Sequence, residues 1–336
     1  MAGKRPPGMN DVARLAGVSH QTVSRVLNEH ESVRPETRAR VQAAIEELGY
    51  RRNFAARALV TRRSGTIGVI TTGRSLFGPQ RAVVAIEEAA REAGYFISMA
   101  TVKRASARVM KELLDHLLGQ GVDGIVVIAP QIEIVEALHS FNAPVPVVVF
   151  ADAGLVPATM QSVSLDQVEA GRLAVRHLAD LGHRDIAHVS GPLDWTDARG
   201  RLEGWRSECA DAGINPVPLV QADWSPERGY EVGVHLVRAG VPTAVFAAND
   251  MIALGLIRAF TEAGLRVPQD VSVVGVDDQP GASNFIPPLT TVHHRFATMG
   301  RRVIESLLLV IDGGAPHNSV IEPELVVRSS TAAPRG

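Results

Sequence analysis

From Gly65 onward the chain alternates two kinds of segment, and this alternation restricts the fold more than any other feature. Short unbroken apolar runs, TIGVI (66–70), FISMA (96–100), GIVVI (124–128) and PVVVF (146–150), are separated by helically spaced stretches at 80–93, 106–119 and 132–140. After SVSLD (162–166) and a helical 167–181, the pattern resumes. It continues with IAHVS (186–190), a helix at 197–213, PLVQADW (218–224), a helix at 226–239, AVFAAND (244–250), a helix at 251–264 and VSVVGVD (271–277). Strands apolar on both faces must be covered on both faces, and intervening helices supply that cover, so parallel α/β sheets are predicted. The units are too many for one small sheet, which predicts two similar lobes. No short-period repeat interrupts the pattern.

The first 65 residues have a different character. They carry twelve basic and six acidic residues, a net charge of +6, whereas the remainder carries −8. A basic head on an acidic body favours a polyanionic partner for the head. Within it, NDVARLA (10–16) reads as a short helix capped by Asn10, with Val12, Leu15 and Ala16 on one face. Gly17 suits the positive φ of a tight turn. Ser19 is a good N-cap for a second helix over 20–28, in which Val23, Val26 and Leu27 face inward. His20, Gln21, Thr22, Ser24, Arg25 and Asn28 are left to face outward. A third helix runs from Pro35 to about Leu48, stopped by Gly49, with Val41, Ile45 and Leu48 as its apolar stripe. Two short helices about a glycine turn with a third behind them describe a helix-turn-helix, whose second helix lies in the major groove. Gln and Arg there match adenine and guanine by paired hydrogen bonds.

The run DVARLAGVSHQTVSRVLN, followed by VRPETRARVQAAIEELGYRRNFAARALVTRRS, closely resembles the N-terminal domain of the lactose/galactose repressor family of bacterial transcription regulators. The resemblance implies a DNA-binding domain over 8–52, a hinge helix and linker over 53–64, and an effector-binding and dimerisation core over 65–336. It makes His20, Gln21 and Arg25 the base-reading positions, with Thr22, Ser24 and Asn28 on phosphate or supporting the fit, and Ser19 and Tyr50 in the same DNA-contacting set. The hinge would use Asn53, Ala56, Arg57 and Leu59, the leucine wedging into the minor groove, while Arg51, Arg52, Arg62 and Arg63 neutralise phosphates. Two departures stand out: Gly8 occupies a position where the family usually has Thr or Ser, and Arg34 precedes Pro35 where a capping Ser is common. The implied core resembles periplasmic sugar-binding proteins, with one lobe of 65–166 and about 293–323 and another of 167–292 and about 324–336. The implied partners are a near-palindromic double-stranded operator and a second copy of the chain. The closing IEPELVVRSSTAAPRG has no leucine heptad, so assembly is expected to stop at a homodimer.

Ligands of open parallel sheets bind beyond the carboxyl ends of the strands. Thr72, Leu76 and Phe77 follow the first strand, Asp152 follows PVVVF, and Trp195 and Arg199 follow IAHVSGP. Trp224 ends PLVQADW, Asn249 ends AVFAAND, Asp277 ends VSVVGVD, and Phe296 lies past a crossover. Carboxylates, an amide, a guanidinium and aromatic faces together suit a small sugar, whose hydroxyls pair with planar polar groups and whose ring faces rest on aromatics. Singly, each has a plainer role: Asp or Asn at a strand end is commonly a helix cap, and Trp is commonly core. The resemblance places Asp152, Arg199, Trp224, Asn249, Asp277 and Phe296 on positions lining a family inducer pocket, and makes Trp195 a departure, since a small residue is usual there.

These features predict a repressor relieved by a small sugar, with a β-galactoside or another β-linked disaccharide as the candidates; the rival within the family is a corepressed regulator with a purine-like effector. An exported solute-binding protein would need a signal peptide, and the N-terminus MAGKRPPGMNDVARLAGV has no apolar run of that kind, so a cytoplasmic location is expected. A sugar-processing enzyme would need a nucleophile or phosphate site beside Asp152 and Asp277, and no such motif is present. Cys209 is the sole cysteine, so no internal disulfide forms. His293–His294 has no cysteine or carboxylate cluster nearby in sequence, so neither metal nor cofactor is expected, and His183 and His188 read as structural.

Overall fold

The computed structural model describes residues 7–27, 30–50, 63–72, 76–102, 106–214 and 219–335. Two compact units divide the chain, Met1–Ser64 and Gly65–Gly336.

In the first unit, α1 (Met9–Ala16), α2 (His20–Leu27) and α3 (Pro35–Leu48) enclose a small core of Val12, Ala13, Ala16, Val23, Val26, Val41, Ala44 and Tyr50. Gly17 takes φ 64° and Gly49 φ 60°, the left-handed conformation that ends each helix without a Cβ penalty. Ser19 caps α2, its Oγ accepting the Thr22 N–H at 3.1 Å. Two details differ from the reading of 10–16. Gly8, not Asn10, is the N-cap of α1; lacking a side chain, it leaves its own N–H to the Asp11 carboxylate at 2.8 Å. Leu15 is 45% exposed, because the core closes over Val12, Ala13 and Ala16, and Leu15 projects roughly 100° from the centre of that stripe.

The second unit contains two six-stranded sheets, each covered on both faces by helices. The first comprises β1 (Thr66–Thr72), β2 (Phe96–Val102), β3 (Gly124–Ile128), β4 (Val147–Phe150), β5 (Gln161–Leu165) and β11 (Ser319–Ile321), in the order β11-β5-β4-β3-β1-β2, all parallel. Helices α4 (Phe77–Glu92), α5 (Ala107–Gly119), α6 (Ile132–Leu138) and α11 (Phe296–Ile311) pack against it. The second comprises β6 (Ile186–Ser190), β7 (Val220–Gln221), β8 (Ala244–Ala247), β9 (Ser272–Val276), β10 (Thr290–His293) and β12 (Glu324–Val326), in the order β12-β10-β9-β8-β6-β7. Only the β10–β12 pair is antiparallel. Its helices are α7 (Gln167–Asp180), α8 (Thr196–Asp211), α9 (Pro226–Ala239) and α10 (Asp250–Glu262).

The chain passes between the sheets after β5, after β10 and between β11 and β12. Two departures from the sequence pattern concern strands. PLVQADW forms only the two-residue β7, and Thr290–Val326 contributes β10, α11, β11 and β12, three of them short strands with no continuous apolar run. Helices α7 and α8 touch backbone to backbone through Gly171 and Gly204; a Cβ on Gly204 would stand 2.1 Å from the Val168 carbonyl oxygen. That contact fixes where the first turns of α8 point. Among the described residues no helix is long and apolar enough to cross a membrane.

Candidate functional site

The head presents a polar row on α2. His20, Gln21 and Arg25 are exposed and Thr22 and Ser24 half-buried, while Val23 and Val26 hold the opposite face in the core. Ser19 is exposed at the cap, with its Oγ 2.9 Å from Thr22 Oγ1. Tyr50 departs from this row: it is 8% exposed and belongs to the head's core, where an aromatic ring closes the base of the three helices. Asn28, Asn53, Ala56, Arg57 and Leu59, with Arg51, Arg52 and Arg62, lie outside the described residues.

In the second unit a cleft of about 1760 Å³ opens between the carboxyl ends of the two sheets. Leu76, Phe77, Asp152, Trp195, Arg199, Trp224, Asn249, Asp277 and Phe296 all line it. Thr72 does not: β1 is buried on both faces, and Thr72 ends it at 7% exposure without lining the cleft.

The polar centre of the cleft is a guanidinium that the sequence reading passed over. Arg201 is 4% exposed; its Nε donates to Gln167 Oε1 at 2.8 Å, one Nη to the Ala248 carbonyl, and the other Nη to Asp277 Oδ1 at 3.3 Å. Arg199 also lines the cleft but is exposed, and its Nε donates to the Leu193 carbonyl at 2.7 Å. The phase of α8 explains the difference. Ala198, Arg201, Leu202, Trp205 and Cys209 are its buried stripe, and Arg199 falls off it. That spacing was readable in DARGRLEGWRSEC.

Burial governs the charges around this pair. It pushes the Asp277 carboxyl up to about 6, against the pull of Arg201. Asp250, fully buried behind it, is pushed up to about 8 by burial and then by Asp277; its oxygens accept from Thr291 Oγ1 at 2.5 Å and the Gln279 N–H at 2.7 Å. Burial thus favours the neutral form of Asp250, which supports the floor of the cleft. His294 is held well below its ordinary value by burial and by Arg201, and its Nε2 lies 3.1 Å from Gln167 Oε1. Gln167, absent from the sequence reading, and His294, weighed there only as a metal ligand, thus complete the polar floor at the crossovers.

The aromatic walls are equally constrained. Trp224 sits at φ 75°, its carbonyl accepting from Asn249 Nδ2 at 3.2 Å, while Asn249 Oδ1 caps α10 through the Ile252 N–H at 2.8 Å. Its ring fits only because residue 191 is glycine: a Cβ there would come within 2.3 Å of the indole. Trp195 meets Trp224 edge-on, with centroids 5.7 Å apart at 73°, and Phe77 meets Phe296 edge-on at 6.1 Å and 86°. The Arg201 guanidinium stands 5.7 Å from the Trp224 ring centroid, within cation–π range. The Trp224 Nε1 is buried without a protein partner, a donor directed at no other side chain. Asp152 is exposed at the rim, where it accepts the Gly154 N–H at 2.7 Å.

His183 and His188 are internal. His183 is bonded to Thr243 and Ser272, and His188 stacks on Phe246 at 4.5 Å and donates from Nδ1 to its carbonyl at 3.0 Å. Among the described residues no group of three or more His, Cys, Asp or Glu is arranged to hold a metal ion.

Comparison with known proteins matches residues 8–53 to the family described as bacterial regulatory proteins, lacI family, and residues 175–331 to the periplasmic binding protein-like domain. The chain is 37% identical to the lactose operon repressor of Escherichia coli (strain K12), over 98% of this chain and 92% of that protein. It is 36% identical to the HTH-type transcriptional repressor PurR of Pasteurella multocida (strain Pm70), over 96% of this chain and 98% of that one. The crystal structure of the lac repressor dimer bound to operator and the anti-inducer ONPF is similar, with a TM-score of 0.84 at 36% identity, covering 98% of this chain and 100% of that one. The complex of the transcriptional regulator CelR with cellobiose gives 0.70 at 33% identity, covering 96% and 99% respectively.

Proposed function

The chain belongs to the lacI family of bacterial regulatory proteins and is a DNA-binding transcriptional repressor, not an enzyme, and from that premise we propose that it is a homodimer released from a near-palindromic operator by a small sugar. In this reading residues 8–52 bind DNA, 53–64 form the hinge, and 65–336 bind effector and dimerise. His20, Gln21 and Arg25 read bases, and Ser19, Thr22 and Ser24 hold the backbone. A dimer with two-fold symmetry presents two such helices, which is why the operator is nearly palindromic.

The observation that carries the sugar reading is the cleft centre. The Arg201–Asp277 pair, the Asn249 amide and the rim carboxylate of Asp152 offer acceptors and donors at several angles. The indole and phenyl faces beside them suit the apolar face of a pyranose. Relatives point both ways, toward a lactose operon repressor and toward PurR. Against a purine-like effector, the aromatic pairs in the cleft meet edge-on, so neither pair forms a parallel slot for a flat base. A cleft of about 1760 Å³ has room for a β-linked disaccharide, such as a β-galactoside.

A ligand shifts a two-state repressor only as far as it prefers one state; moving the ratio from 1:99 to 99:1 requires about a 10⁴-fold preference. The test is a mobility shift on operator DNA selected from a random pool, repeated against a panel of disaccharides and purine bases. Release by a disaccharide is the expected result; tighter binding with a purine base would replace this reading with corepression.

A further inference from the structure

The two lobes of the second unit are joined at a place other than their crossovers. Pro130–Ile132, after β3, meets Asp194–Thr196, after β6, and Gln131 pairs with Trp195 as an isolated antiparallel bridge. The Ile132 N–H donates to the Asp194 carbonyl at 3.0 Å. Thr196 donates twice to the Pro130 carbonyl, from its N–H at 2.9 Å and from Oγ1 at 3.2 Å.

Both backbone donors are the first residues of helices, Ile132 of α6 and Thr196 of α8. Amides of a first helical turn have no partner inside their helix. Each helix start satisfies one of them with a carbonyl of the opposite lobe. Separating the lobes returns these groups to water, so the contact is stable enough to bias the closed arrangement and weak enough to open.

Its location gives it leverage. The crossovers leave or enter β5, β11, β10 and β12, which share one edge of the two sheets. β3 lies two strands in from β5, and β6 three strands in from β10. At about 4.8 Å per strand the bridge stands roughly 10–14 Å from the crossovers. Rotation about the crossovers therefore pulls the bridge apart instead of sliding it.

The bridge is also wired to the cleft wall. Trp195 is 3% exposed and rests edge-on against Trp224, and Pro130, Ile132, Trp195 and Thr196 all line the cleft. A molecule displacing the Trp224 ring pushes on the residue that forms the bridge.

We propose that 130–132 and 194–196 form a clasp that holds the lobes closed over the cleft and must open for ligand to enter or leave. Its regulatory meaning rests on the reading of this cleft as the effector site; its existence does not, and the test is run without ligand. Ligands that favour the opened lobes then act by breaking three hydrogen bonds, and those that favour the closed lobes act by keeping them.

The first residue of a helix accepts proline, and the residue before a proline must be extended. Gln131 (φ −112°, ψ 143°) and Trp195 (φ −96°, ψ 131°) are extended already. Thr196→Pro thus deletes both donors to Pro130, and Ile132→Pro deletes the donor to Asp194, with each helix start compatible with the change. Spin labels on Glu133→Cys and Arg206→Cys, both exposed, report the distance between α6 and α8 in the full chain. Cys209 is buried, its thiol pushed up to about 11, and stays unlabelled. Labelled chain is diluted with unlabelled chain so that only distances within one chain are read.

Wild type and Thr196→Ser are expected to give one narrow distance. Thr196→Pro is expected to raise the longer-distance population about tenfold or more, as the loss of two hydrogen bonds implies, and Ile132→Pro to raise it less. Unchanged distributions in either folded proline variant, or a wild type already as broad as Thr196→Pro, overturn the clasp. Hydrogen exchange on the unmodified chain decides the matter even if both variants misfold. Protection of the Ile132 and Thr196 amides is expected, and exchange of both at the rate of free amides refutes it.

Discussion

Arg201→Met removes the guanidinium from the cleft and keeps most of the side chain's bulk, so its effect can be worked out group by group. Removing one partner of a buried ion pair usually costs about 3–5 kcal/mol. Here Asp277 limits the loss, because its carboxyl already sits at about 6 and takes up a proton when the cation goes. From pH 7.5, that uptake costs about 2 kcal/mol beyond the wild-type state, at about 1.4 kcal/mol per unit. The carbonyl of Ala248 and the amide of Gln167 lose a donor as well. Gln167 lines the cleft, where water replaces part of the bond, whereas Ala248 is fully buried, so together they add about 1–2 kcal/mol, most of it from Ala248. The total is about 3–4 kcal/mol at pH 7.5.

The pH dependence identifies the cause. In the variant, Asp277's folded-state value rises above that of wild type, so between about pH 6 and the new value the variant holds a proton that wild type does not. Its deficit therefore grows as pH rises through that window. Below pH 6 both proteins carry protonated Asp277, and only the hydrogen-bond part, about 1–2 kcal/mol, remains. Urea unfolding of both proteins at pH 5.5, 6.5 and 7.5 measures this, and Arg201→Met/Asp277→Asn should lose the pH-dependent part. A deficit below about 1 kcal/mol at pH 7.5, or one equal at all three pH values, would mean that the pair is not buried and coupled as described. The same variant should keep operator affinity and lose release by effector, because it leaves the head untouched.

Other expectations follow from the same geometry. Arg25→Ala should weaken operator binding by about 1–3 kcal/mol and relax preference at one position of each half-site; competition with operator variants reads this, and an equal loss on every sequence would count against base reading. Gly204→Ala forces a Cβ to 2.1 Å from the Val168 carbonyl oxygen and should destabilise the second unit by at least about 1–3 kcal/mol, seen as a lower Tm. Asp250 lies near 8 in the folded chain and near its ordinary value when unfolded, so it makes stability fall as pH rises from about 4 to 8; Asp250→Asn should flatten that slope by up to about 1.4 kcal/mol per pH unit. A slope unchanged in Asp250→Asn would show that this carboxyl is ionised throughout.

The head was legible because its signals are local. Gly17, Ser19, Pro35 and Gly49 each answer a backbone requirement at one position, and α3 begins and ends at the expected residues. Where the reading failed, two local rules competed. Asn10 is a better cap than Gly8 by side chain, yet Asp11 can serve Gly8 from inside the helix, so the helix begins one residue earlier. Leu15 looked internal by type, but the small residues Ala13 and Ala16 let the three helices approach on a different side of α1. Tyr50, which the resemblance put in the DNA-contacting set, takes its place in the core from packing among all three helices.

The cleft shows where reading by strand ends stops working. Listing polar residues just past each strand found Asp152, Trp224, Asn249 and Asp277, because loops after parallel strands converge on one edge whatever their length. It chose Arg199 over Arg201 because Arg199 is nearer the strand. Distance along the chain is the wrong coordinate once a helix has begun: beyond Thr196 the direction of a side chain is set by 100° steps, and two residues along the helix turn it to nearly the opposite side. Gly204 then clamps α8 against α7 so that position 201 points at Asp277. Gln167 and His294 were missed for a different reason. They sit at the crossovers, and their contacts with Arg201 and with each other span 34 and 127 residues, distances over which no periodicity in the sequence carries information. What brings them together is the shared edge of the two sheets. The polar centre of the cleft is therefore built beside the crossovers, so a ligand that rearranges Arg201, Gln167 or His294 would act on the segments that join the two lobes.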